Sequence, residues 1–181
     1  MRSWLVGVVA LGWWFMEPAF AAQTADITVT VTVRKLSVSV GSATFAFGSV
    51  NESSQTVASA AVAVTSDGNV TEDFELKLTN PIGWTAVQSG TPNTDQYLLG
   101  SIFRTASPAA GDFTDSQDTL STTFVTSSTT VFAKDADANS QKGFSVATSG
   151  ARNLWFLFFA PSYSTIGTQQ SIVVTVRATA S

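Results

Sequence analysis

Hydrophobic and polar positions alternate strictly from residue 27: Ile27, Val29, Val31 and Val33 are apolar, and Thr28, Thr30 and Thr32 fall between them. A period of two puts the apolar set on one face of an extended strand and the threonines on the other. Such a strand is unstable alone, because its apolar face and its unpaired backbone groups both need a partner. Two destinations exist. Pairing within the chain is the expectation, since sequential strands usually neighbour one another. Donation to the edge of another copy is the alternative, with main-chain bonds supplying affinity and alternate side chains supplying register.

Arg34-Lys35 breaks the pattern, and the alternation resumes out of phase at Leu36, Val38 and Val40. One face cannot hold both sets, so the chain is expected to change sheets there, a bulge being the other solution. Gly41 turns it into a short strand over residues 43–47, and a polar loop follows through Gln55. Residues 57–65 predict a strand, Ser66-Asp67-Gly68-Asn69 a hairpin turn tolerant of positive φ, and residues 70–79 the returning strand. In that strand Phe74, Leu76 and Leu78 share one side, opposite Asp73, Glu75 and Lys77. Further strands are predicted at 83–87, 97–105, 120–125 and 129–133. Residues 152–160 are apolar on both faces, which suits the middle of a sheet, and Pro161 ends them. The last strand, 169–179, turns Ile172, Val174 and Val176 inward.

Nine or ten short strands with no helical period predict an all-β, immunoglobulin-like two-sheet β-sandwich. Ahead of it, residues 1–21 read as a cleaved signal peptide: Arg2, an apolar stretch over 4–16, and the site Ala19-Phe20-Ala21. Thirteen residues of that kind fall short of the roughly 20 that span a bilayer. The mature chain is thus expected to be one domain, 22–181, secreted or at the cell surface, with the periplasm as the other exported destination, and to meet membrane only during export.

Of the 181 residues none is Cys or His, which removes disulfides, thiol nucleophiles, imidazole bases and the usual zinc ligands. A charged fraction of 12% and a net charge of −4, without a basic cluster, argue against nucleic acid as a partner. Asp73 and Glu75 beside Lys77 look like a wet sheet face and not like a paired acid and base, so an enzyme is not expected.

Three features remain as candidate chemistry. Asp135, Asp137 and Asn139 offer oxygens at alternate positions, as calcium loops do, but Ser140 and Val146 stand where such a loop has glycine and glutamate. Trp84, after a glycine turn, is a candidate platform for a sugar ring, with core packing as the commoner use of tryptophan. Asn51-Glu52-Ser53 and Asn69-Val70-Thr71 are glycosylation sequons that matter only in a glycosylating host.

The run Phe47-Gly48-Ser49-Val50, then Val62-Ala63-Val64-Thr65 and Asp67-Gly68-Asn69, resembles the F-G-x-V … V-x-V-x-N-x-G signature of bacterial immunoglobulin-like modules of the ASPM/SPD-2/Hydin type. Secreted filament proteins of the TasA/camelysin group are similar in layout. This chain departs from the signature at Ser66-Asp67, where an asparagine usually precedes the glycine, and at residues 51–53, which lack a glycine-centred loop. The resemblance implies a sandwich fold and an extracellular scaffolding or filament role, and it carries over no catalytic residue. The expected function is a structural subunit, with itself as partner through Ile27, Val29, Val31 and Val33. The alternative is a monomeric adhesin or carbohydrate-binding module whose partner is a surface glycan or protein.

Overall fold

The computed structural model describes residue 24 and residues 26–114, 116–134 and 140–181. The expected signal segment, 1–21, and the calcium candidates Asp135, Asp137 and Asn139 lie outside the described residues. The chain divides into two units, residues 1–32 and residues 33–181. In the first, residues 26–32 belong to no strand and are exposed along their whole length. The expected in-chain strand at 27–33 is therefore not part of a ladder: period-two alternation records what a segment needs, not where it finds it.

The second unit is a two-sheet all-β sandwich. Its strands in chain order are β1 (Val38–Val40), β2 (Gln55–Val57), β3 (Val62–Ser66), β4 (Glu72–Thr79), β5 (Thr85–Ala86), β6 (Gln96–Phe103), β7 (Val125–Thr126), β8 (Ala151–Phe159) and β9 (Val173–Ala180). The larger sheet runs β1-β3-β8-β6-β5, with β2 also on β8, and the smaller runs β7-β4-β9. All pairs are antiparallel except β5 with β6.

Strand β8 holds the larger sheet together because both of its faces are covered. Leu154, Trp155, Phe156, Leu157 and Phe158 are all buried, and each such side chain contributes roughly 1.5–3 kcal/mol relative to exposure. One edge of β8 pairs with β6 from Leu98↔Phe159 to Phe103↔Leu154, and the other is shared by β2 and β3. In the smaller sheet, Phe74, Leu76 and Leu78 of β4 are buried, as their alternation predicts. On the opposite face Glu75 ion-pairs with Arg177 of β9 and accepts from Thr126 Oγ1 at 2.7 Å. Burial raises the Glu75 pKa, but the Thr126 hydroxyl and the Arg177 guanidinium outweigh it and hold the carboxyl below its ordinary range.

Three expectations are corrected. Strands β3 and β4 belong to different sheets, so residues 67–69 do not close a hairpin but carry the chain from one sheet to the other. Residues 129–133 form a turn, with Phe132 at φ 56° and fully buried; the aromatic ring is needed in the core while its backbone is bent around it. The extent 43–47 is likewise outside any strand, although Phe45 and Phe47 pack on the core.

Candidate functional site

The unpartnered alternating segment and the surface most deficient in cover are the two features that call for a function. Ile27 is 88% exposed, Val29 79%, Val31 80% and Val33 74%. Isolated exposed apolar residues are ordinary on a protein surface; four on one face of a seven-residue run are not.

Within the second unit, residues 33–37 are firmly held. The Lys35 N–H donates to Asn69 Oδ1 at 2.7 Å, and Asn69 Nδ2 donates to the Val33 carbonyl at 2.8 Å. The Asn69 N–H donates to the Lys35 carbonyl at 3.0 Å, and the Asp67 N–H donates to the Ser37 carbonyl at 2.7 Å. The Ser37 N–H donates to Oε1 of Glu72, a carboxylate with no exposure at all. Gly68 sits so close to Glu72 Oε1 and the Lys35 carbonyl that a Cβ there would overlap both, which is why this position has no side chain. The turn signal Asp67-Gly68-Asn69 was thus legible, but its work is to grip residues 33–37. The Asn69 sequon is engaged in this grip through both side-chain atoms.

Within residues 33–181, an apolar groove of roughly 1220 Å³ opens between the sheets. Its floor includes Leu154, Phe156 and Phe158 of β8, one wall is Val174 and Val176 of β9, and the residues around Phe45 and Phe47 form the other. The rings pack on one another: Phe45 and Phe47 meet edge to face at 5.0 Å between centroids, and Phe47 lies 5.5 Å from Phe158. Such aromatic pairs are worth about 0.5–1.5 kcal/mol beyond their area. The segment carrying Phe45 and Phe47 covers the floor without joining a ladder, so it seals the groove only by side chains.

Trp84 belongs to this same cluster. Its ring stacks on Phe158 at 6.1 Å with 15° between planes, neighbours Tyr97 at 6.1 Å, and donates Nε1–H to Ser164 Oγ at 3.1 Å. It is half-buried, with one face against the core, and not a free-standing platform. Tyr97 is fully buried, its hydroxyl donating to Asn80 Oδ1 at 2.9 Å, and burial pushes its pKa well above the ordinary tyrosine value. Loop residues 164–166 close this end of the groove, tied to Asp95, which accepts from the Thr165 hydroxyl at 2.6 Å and the Thr165 amide at 2.8 Å.

A second cluster lies at the other end of β6. Asp112 pairs with Arg104 and with Lys134, whose Nζ is 2.7 Å away, and Lys134 foremost draws its pKa down to about 2. Asp118 is 2% exposed, and burial pushes its carboxyl up to about 7. One oxygen accepts the Thr114 N–H at 2.8 Å, and the backbone amides of Thr114, Phe132 and Ala133 pull the pKa down without offsetting burial. Among the described residues no three acidic side chains gather closely enough to hold a metal ion. No helix among them is long and apolar enough to cross a membrane.

A scan against protein-family models, a search of curated proteins and a search of solved structures each return no match for this chain.

Proposed function

We propose that this chain is an exported structural subunit that assembles with copies of itself, the N-terminal arm of one copy docking on the sandwich of another. The observation that carries the reading is the arm: Ile27, Val29, Val31 and Val33 form one apolar face, stay 74–88% exposed, and belong to no sheet. A solvated apolar face of that length is an unmet need, and β-strand addition is the ordinary way to meet it. Signal cleavage after Ala21 would leave the arm at the very start of the mature chain, free to reach another molecule. Head-to-tail docking of this kind yields a filament on repetition where its rotation does not close a ring. The layout resemblance to secreted filament subunits points the same way, and a surface poor in charge and rich in serine and threonine suits an extracellular scaffold.

The test compares the mature protein, residues 22–181, with a version lacking residues 22–33, by size-exclusion chromatography and electron microscopy. Large species or filaments are expected from the first and a single small peak from the second. A single small peak from both would favour a monomeric adhesin or sugar-binding module, and equal assembly by both would remove the arm from the mechanism.

A further inference from the structure

The backbone of β9 is committed on one side only. In β4 the even residues face away from β9: the amides of Glu72, Phe74 and Leu78 donate to the carbonyls of Val146, Gly143 and Ser121. The odd residues of β4 therefore make the bonds to β9, opposite Thr179, Arg177, Thr175 and Val173. Because successive residues of a strand point their N–H and C=O groups to alternate sides, Val174, Val176 and Ala178 aim theirs away from β4. No strand pairs with β9 on that side among the described residues. The same even residues turn their side chains inward: Val174 and Val176 pack on the core and line the groove. An unpaired backbone edge and the apolar groove thus run side by side along one strand.

Resting on the self-assembly reading above, we infer that the free edge of β9 and the groove beside it are the acceptor, and that their occupant is the segment 27–33 of a second copy of this chain. Three matches select that occupant. Seven extended residues span about 24 Å at roughly 3.4 Å each, and β9 offers eight residues to pair with. Residues directly opposite one another in a ladder point to the same face, so Ile27, Val29, Val31 and Val33 opposite the even residues of β9 enter the groove between β9 and the segment carrying Phe45 and Phe47. Thr28, Thr30 and Thr32 then share the outer face with Thr175, Arg177 and Thr179, hydroxyl beside hydroxyl. Finally, residues 27–33 contain no charge, so the occupant carries none into the groove, whose one charged lining residue, Glu52, already accepts from the Ser164 amide at 2.8 Å. A slip of one residue would invert every one of these placements, which makes the register specific.

The absence of cysteine from the chain makes cross-linking clean. Val31→Cys is combined in the mature protein with Val174→Cys, Val176→Cys or Ala178→Cys, assembled, oxidised and run on a non-reducing gel. Opposed residues in a hydrogen-bonded pair have Cα atoms about 5.5 Å apart, within disulfide range. One of the three combinations is expected to give a ladder of dimers, trimers and higher species, and Thr30→Cys in place of Val31→Cys is expected to lose it. Absence of a ladder from all three, an equal ladder from Thr30→Cys, or a disulfide within single chains would each overturn the assignment. Val176→Pro supplies a second measurement, since it removes an outward N–H while leaving the bonds to β4 in place. With a wild-type β-sheet spectrum it should no longer form large species, yet still dock its own arm on wild-type subunits and shorten their polymers; normal assembly by this variant would refute the acceptor. If the chain lacking 22–33 is monomeric while every cysteine pair fails, the arm still drives assembly and only the acceptor is misplaced. If that truncated chain assembles normally, the self-assembly reading itself fails.

Discussion

Replacing Val29 and Val31 together by threonine separates assembly from folding. Threonine keeps the shape and the β-propensity of valine but exchanges a methyl for a hydroxyl. In the single subunit these side chains are 79% and 80% exposed, and surface substitutions of that kind stay within about 0.5 kcal/mol of neutral. The melting temperature should not move. In the proposed assembly each valine would be buried, and losing that burial while desolvating a hydroxyl would cost on the order of 1.5 kcal/mol per site. Since about 1.4 kcal/mol is tenfold in an equilibrium constant, the pair should raise the critical concentration for assembly about 100-fold. Sedimentation velocity across a dilution series reads that concentration, and thermal melts by circular dichroism read the fold. An unchanged critical concentration would refute the burial of this face in the polymer. A melting temperature lowered by several degrees would show instead that the arm packs within its own subunit.

Three other outcomes follow from the sandwich itself. Burial holds the Asp118 carboxyl at about 7 against an ordinary 3.8, so the folded state keeps a proton the unfolded chain has released, and stability falls as pH rises between those values. Asp118→Asn should match the wild type near pH 4 and exceed it above pH 7 by on the order of 4 kcal/mol in urea unfolding, and parallel pH curves would contradict this. Gly143→Ala places a Cβ 2.6 Å from Ser127 Oγ and 2.8 Å from Phe103 Cδ2, against a ring with no exposure; overpacking of this kind should cost about 1–3 kcal/mol and lower the melting temperature by roughly 3–10 °C. Asn69→Ala removes the bonds to the Lys35 amide and the Val33 carbonyl, and hydrogen exchange at Lys35 should quicken about tenfold while amides of β8 keep their protection.

The strands that could be read directly were those whose burial is decided by their own residues. β8 is apolar on both faces and sits inside its sheet, and β4 separates Phe74, Leu76 and Leu78 from Asp73 and Lys77 as its alternation requires. The expected inward set Ile172, Val174 and Val176 packs on the core. What alternation could not supply was the partner: the same period describes 27–33, which is unpaired, and β9, which is paired on one side. Asp67-Gly68-Asn69 shows the limit of turn chemistry. Gly68 was expected for its tolerance of positive φ, yet it is needed because Glu72 and the Lys35 carbonyl leave no room for a side chain, a long-range contact invisible in local sequence. Phe45 and Phe47 alternate as a strand would, and they pack without laddering because the floor beneath them offers rings and no free edge. Of the proposed assembly site, the arm was visible in the sequence and the groove was not, since the wall around Phe45 and Phe47 comes from a segment more than a hundred residues before the floor and the other wall.

The grip on residues 33–37 also fixes how a thread of these subunits would bear tension. A pull on the arm passes through the Val33 carbonyl to Asn69, and through the Ser37 amide to Glu72 at the head of β4. In the proposed assembly that force would load the eight pairs between β4 and β9, where a pull along the strands would have to shear many bonds at once instead of peeling them singly.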